Sequence, residues 1–404
     1  MKMPKRIDMV NSAGRFAIAV LCVAAYFLFS ETVLDLTVFK GAKTDFDYYE
    51  NLVFSKEEAE SADKFKRDII SLGEERQTSI PGTIIFKYKP AVRESFTLNS
   101  DGFRNEEFKK KEKDEFRIAI LGDSKVFGFS VQDKDTISSV AQRKLREHFH
   151  KNITVLNMGV EGYDIQRAVA TAEFYLEKVE PDMLVFYSWI IDIYGAFDFG
   201  NIDWPPFKGD EKLVPGIEGR EEDRTVYDKV RLLNTLKHTY ISDAEKLSVR
   251  MTEKDYPELP IPPQKVDSAE KFPEKYLGRM ADATASFDKK GVASLFILPA
   301  LMHTKRPLSE NEKFFLYRNE MYSNGINLFT KKCVEGVREA LKTGKYGANI
   351  VDQSEIFQGE QDPVFFDGIH YTPKFMRIAA DRIADEIIKT LERGKYFEEN
   401  QTHR

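Results

Sequence analysis

The stretch that decides the fold is IAILGDSKVFG, residues 118–128. Four apolar residues lead into Gly122-Asp123-Ser124, and a second glycine follows at Gly128. A short, continuously apolar run that ends in a polar turn is typical of a buried strand in a parallel sheet. Two interpretations of the turn compete. The turn is either a polar exit from the sheet or a place where Ser124 is exposed as a reactive side chain. The choice depends on whether the chain supplies a base for the serine proton.

The chain from residue 116 onward alternates strand and helix signals. Five short apolar runs, separated by stretches with helical periodicity, are interpreted as strands: 118–121, 153–156, 183–187, 292–298 and 349–351. This alternation predicts an α/β fold, in which helices cover both faces of a parallel sheet of about five strands. Residues 200–285 interrupt it and predict a helical insertion on the edge where such sheets bind ligands. The insertion is either a lid or a helical flank packed on the sheet.

The N-terminus has the pattern of an export signal. The apolar run 16–29 lies inside segment 13–36, which is long enough for the ~20 residues that span a bilayer. Four basic residues precede the run: Lys2, Lys5, Arg6 and Arg15. They predict a single-pass membrane anchor with a cytoplasmic N-terminus and an extracytoplasmic domain. The alternative is a signal peptide cleaved at Val23-Ala24-Ala25, which would leave a secreted or periplasmic protein. We favour the anchor because the apolar run continues to Phe29.

These signals divide the chain into four predicted parts. Residues 1–39 are the cytoplasmic flank and the signal-anchor helix, and residues 40–115 are a peripheral extension. Residues 116–395 are the α/β domain with its insertion, and residues 396–404 are a tail.

Composition excludes several classes of protein. The 404 residues include 42% apolar and 31% charged residues, an ordinary globular balance. A net charge of −6 argues against nucleic acid as a partner. Two cysteines and six scattered histidines give no metal-ligand spacing, so we expect no metal. The turn after residue 121 lacks both the P-loop and the dinucleotide patterns, and we expect no cofactor.

Polar residues at four strand ends form a candidate site. Because the carboxyl ends of parallel strands meet at one edge, the loops with Ser124, Gly162, Asp192 and 365–370 are expected to converge there. The spacing of Asp367 and His370 lets a carboxylate bond Nδ1 of the imidazole and leaves Nε2 for a serine hydroxyl. Alone this pair is a weak signal. Together with the serine turn it favours chemistry over a polar exit.

Four blocks in this order resemble the SGNH (GDSL-type) hydrolase family: GDSKVFG, VLNMGVEGY, PDMLVFYSWIID and DGIH. The resemblance covers about residues 116–390, and the preceding LNSDGFRNEEF resembles a lead-in of exported bacterial members. It implies a flavodoxin-like, three-layer α/β/α sandwich that hydrolyses esters or thioesters through an acyl-enzyme. It further implies Ser124 as nucleophile, His370 as base and Asp367 as its orienting partner. The backbone N–H groups of Ser124 and Gly162 would form part of the oxyanion hole.

One position departs from the family pattern. The asparagine that normally donates to the oxyanion is replaced by Ile191, with Asp192 next. Losing one such donor typically costs ~10² to 10³ in rate, unless Ser188, Trp189 or an insertion residue replaces it. Lys125 either adds positive potential or is an exposed lysine beside a turn, the interpretation that we favour. The residues expected to border the crevice are Asp123, Lys125, Gly128, Ser188, Asp192 and Trp204.

The sequence thus predicts an extracytoplasmic serine esterase or O-acyl transferase. Its expected partners are the membrane, through the N-terminal helix, and a small acyl ester, possibly on a cell-envelope glycan or a lipid. The alternative is a non-catalytic binding protein that keeps the fold while Ile191 disables the oxyanion hole.

Overall fold

The computed structural model describes residues 56–73, 77–200, 203–208, 212–213, 258–347 and 349–397. The predicted anchor, residues 1–39, lies outside the described residues, as does much of the predicted insertion. In the part of the chain that is described, no helix is both long and apolar enough to cross a membrane.

The described strands and helices follow one another in the order that the sequence predicts for the main domain. The strands are β1 (Gln77–Ser79), β2 (Phe86–Tyr88), β3 (Ala91–Val92), β4 (Thr97–Leu98), β5 (Phe116–Gly122), β6 (Ile153–Gly159), β7 (Met183–Tyr187), β8 (Lys212–Leu213), β9 (Ala293–Leu298) and β10 (Ile350–Asp352). The α-helices are α1 (Lys56–Ser71), α2 (Ser124–Phe127), α3 (Ile137–Phe149), α4 (Ile165–Val179), α5 (Ile190–Phe199), α6 (Pro263–Asp288), α7 (Glu310–Tyr322), α8 (Ile326–Lys342) and α9 (Pro373–Arg393).

A five-stranded sheet with the order β10-β9-β7-β5-β6 forms the centre, and all its pairings are parallel. Counted along the chain, this is the flavodoxin-like order 2-1-3-4-5. The predicted fold class is therefore confirmed for the main domain. The strand order reverses between β5 and β7, and ligands of such sheets bind at that switch point. Ser124 follows β5 directly at this place.

Successive side chains of the central strands point to opposite faces, which explains the continuously apolar runs. On β5, Ala119 and Leu121 belong to one core cluster, while Ile118 and Ile120 belong to the other. The first cluster includes residues of α4, α6 and α8, and the second includes residues of α3 and α9. A strand buried on both faces has no place for a polar residue until its end.

Gly159 lets the short helix α2 lie directly on the sheet. A Cβ atom at Gly159 would stand 2.2 Å from the backbone nitrogen of Phe127, so any other residue would push α2 away from β6. The end of β6 therefore fixes the position of the short helix that begins with Ser124.

Part of the stretch between β7 and β9 forms the connection expected in such sheets. Helix α6 buries Phe272, Tyr276 and Phe287 in the first core cluster before the chain returns to β9. Residues 263–285, which the sequence places in the insertion, thus lie in a helix that covers the sheet. Residues 214–257 lie outside the described part.

The described residues before β5 also pack on the main domain. Helix α1 buries Phe65, and the short strands that follow bury Tyr88 and Phe96, all within the first core cluster. Strand β1 pairs with β2 and with β8, so this region is linked to the stretch after α5.

Candidate active site

Ser124 is the first residue of the four-residue helix α2, at the carboxyl end of β5. The Asp123 side chain precedes it as N-cap and accepts the N–H of Lys125 at 2.8 Å. Gly128 ends the helix with φ 88°, a left-handed conformation that favours glycine. A Cβ atom there would also stand 2.7 Å from Thr136. The residues of GDSKVFG thus build a tight strand–turn–helix that holds Ser124 at the sheet edge.

Ser124, His370 and Asp367 form one chain of hydrogen bonds. The Ser124 Oγ atom lies 2.6 Å from Nε2 of His370, although 246 positions separate the two residues. The Nδ1 atom of His370 lies 2.6 Å from Oδ2 of Asp367. Nδ1 donates to the carboxylate in this arrangement, so Nε2 is the nitrogen that accepts the serine proton. The structure therefore brings together all three residues that the sequence predicts for a triad.

The turn that carries Asp367 keeps its carboxylate ionised. Burial alone would raise the pKa of Asp367, but the neighbouring His370 ring and the hydrogen bonds to its carboxylate hold that pKa below its usual value. Besides the imidazole, the donors are the backbone N–H groups of Ile369 at 2.8 Å and His370 at 2.6 Å. Both bind Oδ1, so Oδ2 is left for the ring.

Aromatic rings lie against the imidazole of His370. The ring of Phe129 stacks on it with 4.4 Å between the centroids and 18° between the planes. Phe366 lies further off, at 5.7 Å and 21°. Phe129 follows the C-cap of α2, and its N–H donates to the Ser124 carbonyl at 3.0 Å. The sequence around Phe129 does not indicate that its side chain packs on the imidazole of His370, so this residue was not predicted as part of the site.

The sequence predicts the backbone N–H groups of Ser124 and Gly162 for an oxyanion hole. Among the described residues, neither the N–H of Ser124 nor that of Gly162 has a hydrogen-bond acceptor. Gly162 has φ 81° and lies in the turn between β6 and α4, where Tyr163 donates back to Val160. Donors of this kind can stabilise the charge that develops when a serine attacks a carbonyl.

The residues near the missing asparagine do not supply an evident third donor. Ile191 is half-buried and has no polar side-chain atom. Ser188 is buried, and its hydroxyl donates to the Tyr163 carbonyl at 3.2 Å. Trp189 is buried in the first core cluster, and its indole N–H has no partner within the described residues.

The side chains of Asp192, on α5, and of Trp204, in the stretch after α5, contact the start of α4. Asp192 accepts the N–H of Ile165 at 3.1 Å, and burial, together with the nearby Asp164 carboxylate, raises the pKa of Asp192 well above its usual value. Trp204 donates from its indole nitrogen to Asp164 at 2.6 Å, and the Arg167 guanidinium lies 4.0 Å from its ring centroid. Both side chains thus support the helix that follows Gly162, and no hydrogen bond within the described part of the chain joins them to Ser124, His370 or Asp367.

Lys125 differs from the interpretation that we favoured. The side chain is fully buried instead of exposed, and its Nζ atom lies 3.0 Å from Oδ2 of Asp123, which is also fully buried. Because the carboxylate stands two residues before it, the ammonium group finds a partner without reaching solvent. The pair places compensating charges directly beside Ser124.

Arg104 and Glu312 support the site but were not identified as site residues. Arg104, in the LNSDGFRNEEF stretch, is buried and donates to the carbonyls of Phe127 and Gly128 at the end of α2. Glu312, on α7, accepts the N–H of Val364 at 2.9 Å, three positions before Asp367. These contacts join distant segments, so local sequence patterns do not predict them. The resemblance of the LNSDGFRNEEF stretch to a family lead-in was the one sequence signal, and it concerns Arg104 alone.

No group of three or more His, Cys, Asp or Glu residues that could hold a metal occurs among the described residues. The hydrogen-bonded side chains at this edge of the sheet include a hydroxyl, an imidazole and a carboxylate. This set can perform nucleophilic attack with general-base assistance.

Comparison with known proteins gives matches among solved structures only. No family model matches this chain, and no curated protein matches it. One similar structure is the esterase EstA from Pseudoalteromonas sp., at 11% identity, covering 68% of this chain and 98% of that chain with a TM-score of 0.34. The lipase/acylhydrolase from Enterococcus faecalis has 12% identity, covers 67% and 95%, and has a TM-score of 0.36. A lipolytic-type protein of the G-D-S-L family from Desulfitobacterium hafniense DCB-2 has 8% identity, covers 67% and 98%, and has a TM-score of 0.35.

At such identities and TM-scores the likeness carries no argument about activity. By their descriptions, the first is an esterase, the second is a lipase/acylhydrolase and the third is a protein of the G-D-S-L family.

Proposed function

We propose that this chain is a serine hydrolase of the SGNH type, which cleaves ester bonds with Ser124, His370 and Asp367 as its catalytic triad. The observation that carries the proposal is the pair of 2.6 Å hydrogen bonds that joins the three side chains. A serine hydroxyl is a poor nucleophile at neutral pH, and a base within hydrogen-bond reach is the feature that activates it.

Each residue then has a defined step. The Ser124 Oγ attacks the ester carbonyl while its proton passes to Nε2 of His370. The carboxylate of Asp367 holds the tautomer and stabilises the imidazolium that forms. The carbonyl oxygen becomes an oxyanion that accepts hydrogen bonds from the N–H groups of Ser124 and Gly162. The tetrahedral intermediate expels the alcohol, which takes the proton from Nε2, and a second hydroxyl or water releases the acyl group by the reverse sequence.

The location and the substrate are further parts of the proposal. The basic and then apolar N-terminus supports a membrane anchor with the domain outside the cytoplasm. In that location a suitable substrate is a small acyl ester, such as the O-acetyl group of a cell-envelope glycan. Transfer to another hydroxyl is the variant of the same chemistry in which water is excluded from the second step. A lipid ester is the other substrate class.

Two observations favour a second candidate, a binding protein with little or no turnover. Ile191 offers no donor where the family pattern has an asparagine, and only 3% of Ser124 is exposed. Such a protein would use the crevice to hold an acyl ester without cleaving it.

The test uses the full chain in detergent, treated with a fluorophosphonate probe and with p-nitrophenyl acetate. We expect labelling and turnover to be lost in Ser124→Ala and kept in Ser138→Ala, a buried serine on α3. Ile191→Asn is expected to raise kcat at least tenfold, because one oxyanion donor is worth ~10² to 10³ in rate. A folded wild type that neither labels nor turns over would support the binding protein.

A further inference from the structure

The imidazole of His370 is covered by an aromatic face on one side. The Phe129 ring lies nearly parallel to it at 4.4 Å between centroids, well within the ~6 Å over which a cation interacts with a ring face. In the proposed mechanism His370 is neutral before attack and cationic once it holds the serine proton. A contact with a π face therefore differs in strength between these two states.

The contact is held from two sides. The N–H of Phe129 donates to the carbonyl of Ser124, so the ring is tied to the backbone of the nucleophile itself. The ring of Phe65 on α1 packs edge-on against Phe129, at 5.2 Å and 68°. The backbone bond places Phe129 beside Ser124, and the packing of Phe65 supports the orientation of the ring against the imidazole.

We propose that Phe129 is a positioning residue that stabilises the imidazolium form of His370 through a cation–π contact, and that it lowers the barrier of serine attack in this way. The kinetic part rests on the proposed function, because it needs His370 to accept the proton of Ser124. The bonds that change are those of the triad alone: the O–H of Ser124 breaks and the Nε2–H of His370 forms. Phe129 forms and breaks no bond, and it contributes only the electrostatic attraction between its ring quadrupole and the imidazolium charge.

The charged and titratable groups around His370 are the same in every variant below. Asp367 and Ser124 are hydrogen-bonded to its ring, and Tyr194 of α5 interacts electrostatically with Asp367. On the other packed elements, Asp123 is paired with Lys125 beside Ser124, and Lys64 of α1 is paired with Glu94.

The size of the effect follows from the burial of the ring. Cation–π contacts change an equilibrium by about twofold when exposed and by about thirtyfold when desolvated. Phe129 is half-buried, so we expect a change of about threefold to tenfold.

The kinetic test replaces Phe129 by phenylalanines that carry one, two or three ring fluorines. Fluorine weakens the negative ring face while the shape is nearly kept, so simple packing predicts no trend. We expect the rate of fluorophosphonate labelling at Ser124 to fall stepwise, by about threefold to tenfold over the series. Phe129→Leu should reach the same low rate. A flat series would overturn the proposal.

A second readout does not need turnover. In a ¹⁵N-histidine NMR titration of the full chain, the protonation midpoint of the His370 ring should be lower in Phe129→Leu than in wild type. The expected difference is about 0.5 to 1 pH unit, the equivalent of threefold to tenfold. An unchanged or raised midpoint in Phe129→Leu overturns the proposal even if the chain proves to be no enzyme. If the wild type is inactive but the midpoint is lower in Phe129→Leu, the proposed function and the kinetic part fail, while the stabilisation of the imidazolium stands.

The chain offers a matched control at the opposite edge of the sheet. Phe149 is also half-buried and also lies beside a histidine, but it meets His148 edge-on, at 4.6 Å and 85°. Phe149→Leu should leave both the labelling rate and the His370 midpoint unchanged. If it moves them as much as Phe129→Leu does, the effect is general loosening of the fold and the proposal fails.

Discussion

Replacing Arg104 by methionine should loosen the helix that carries Ser124. The guanidinium group is buried, and all five of its N–H groups can be assigned an acceptor. Nε donates to Asp133 at 2.6 Å. The other four donate to backbone carbonyls: Phe127 at 3.2 Å, Gly128 at 2.8 Å, Ser95 at 3.0 Å and Val131 at 2.8 Å.

The cost can be worked out acceptor by acceptor. The carbonyls of Phe127 and Gly128 have further donors, from Asn157 at 3.4 Å and from Val131 at 3.2 Å. Those of Ser95 and Val131 have no other donor among the described residues. Each buried acceptor left without a partner costs ~1–3 kcal/mol. The side chain of Asp133 is 55% exposed and can be hydrated. We therefore expect Arg104→Met to lower the free energy of unfolding by about 2–6 kcal/mol.

Urea denaturation measures that loss, and fluorophosphonate labelling measures its consequence at the site. Because the carbonyls of Phe127 and Gly128 end α2, labelling of Ser124 should slow even where the variant is fully folded. Arg104→Lys keeps the charge but has at most three donors. Its free energy of unfolding and its labelling rate should therefore fall between those of the wild type and those of Arg104→Met.

Arg117→Met is the matched control. This buried arginine donates to Glu115 and to the Val179 carbonyl at the other end of β5. Its loss should destabilise the fold without slowing the labelling of folded protein. A loss of less than ~1 kcal/mol in Arg104→Met, or labelling at the wild-type rate, would refute the role of Arg104.

Two further perturbations address the charges beside the triad. Lys125→Met leaves the buried Asp123 carboxylate without its counter-ion, so the free energy of unfolding in urea should fall by about 3–5 kcal/mol. The double variant Lys125→Met/Asp123→Asn should regain most of the lost free energy of unfolding. A Lys125→Met variant as stable as the wild type would contradict the burial of the pair. Because its pKa is held below the usual value, Asp367 stabilises the fold above the pH at which an ordinary aspartate titrates, and this stabilisation is lost as pH falls through the lowered pKa. Asp367→Asn should therefore flatten the acid side of the stability–pH curve, and an unchanged curve would contradict the assignment.

The parallel sheet was predictable because burial on both faces leaves a direct record in the sequence. The residues from Ile118 to Leu121 in β5 and from Met183 to Phe186 in β7 are all apolar, which is the pattern of strands buried on both faces. The pairing of Asp367 with His370 was predictable for a different reason: the two residues lie within one turn, and their spacing lets the carboxylate reach Nδ1 of the ring.

The support of the site was not predictable, because it depends on contacts between distant segments. Phe129 meets His370 across 241 positions, and Arg104 reaches the end of α2 from a loop that precedes β5. Lys125 was misjudged because lysine is mostly exposed, and only the three-dimensional structure shows that Asp123 faces it inside the protein. Local patterns record which residues are buried but not which partners they meet.

The sequence and the structure lead to different conclusions about the donors of the predicted oxyanion hole. From sequence, Ile191 removes one donor and leaves Ser188 and Trp189 as replacements. In the structure the Ser188 hydroxyl is already bonded to Tyr163, and Trp189 lies within the core. The proposed mechanism then relies on the N–H groups of Ser124, which follows β5, and of Gly162, which lies in the turn after β6. Two such donors, with an activated serine, still stabilise an oxyanion far better than bulk water does. We therefore expect turnover and phosphonate labelling at Ser124 to be both slow and measurable, and we expect Ile191→Asn to speed both, because the two reactions develop negative charge on the same oxygen position.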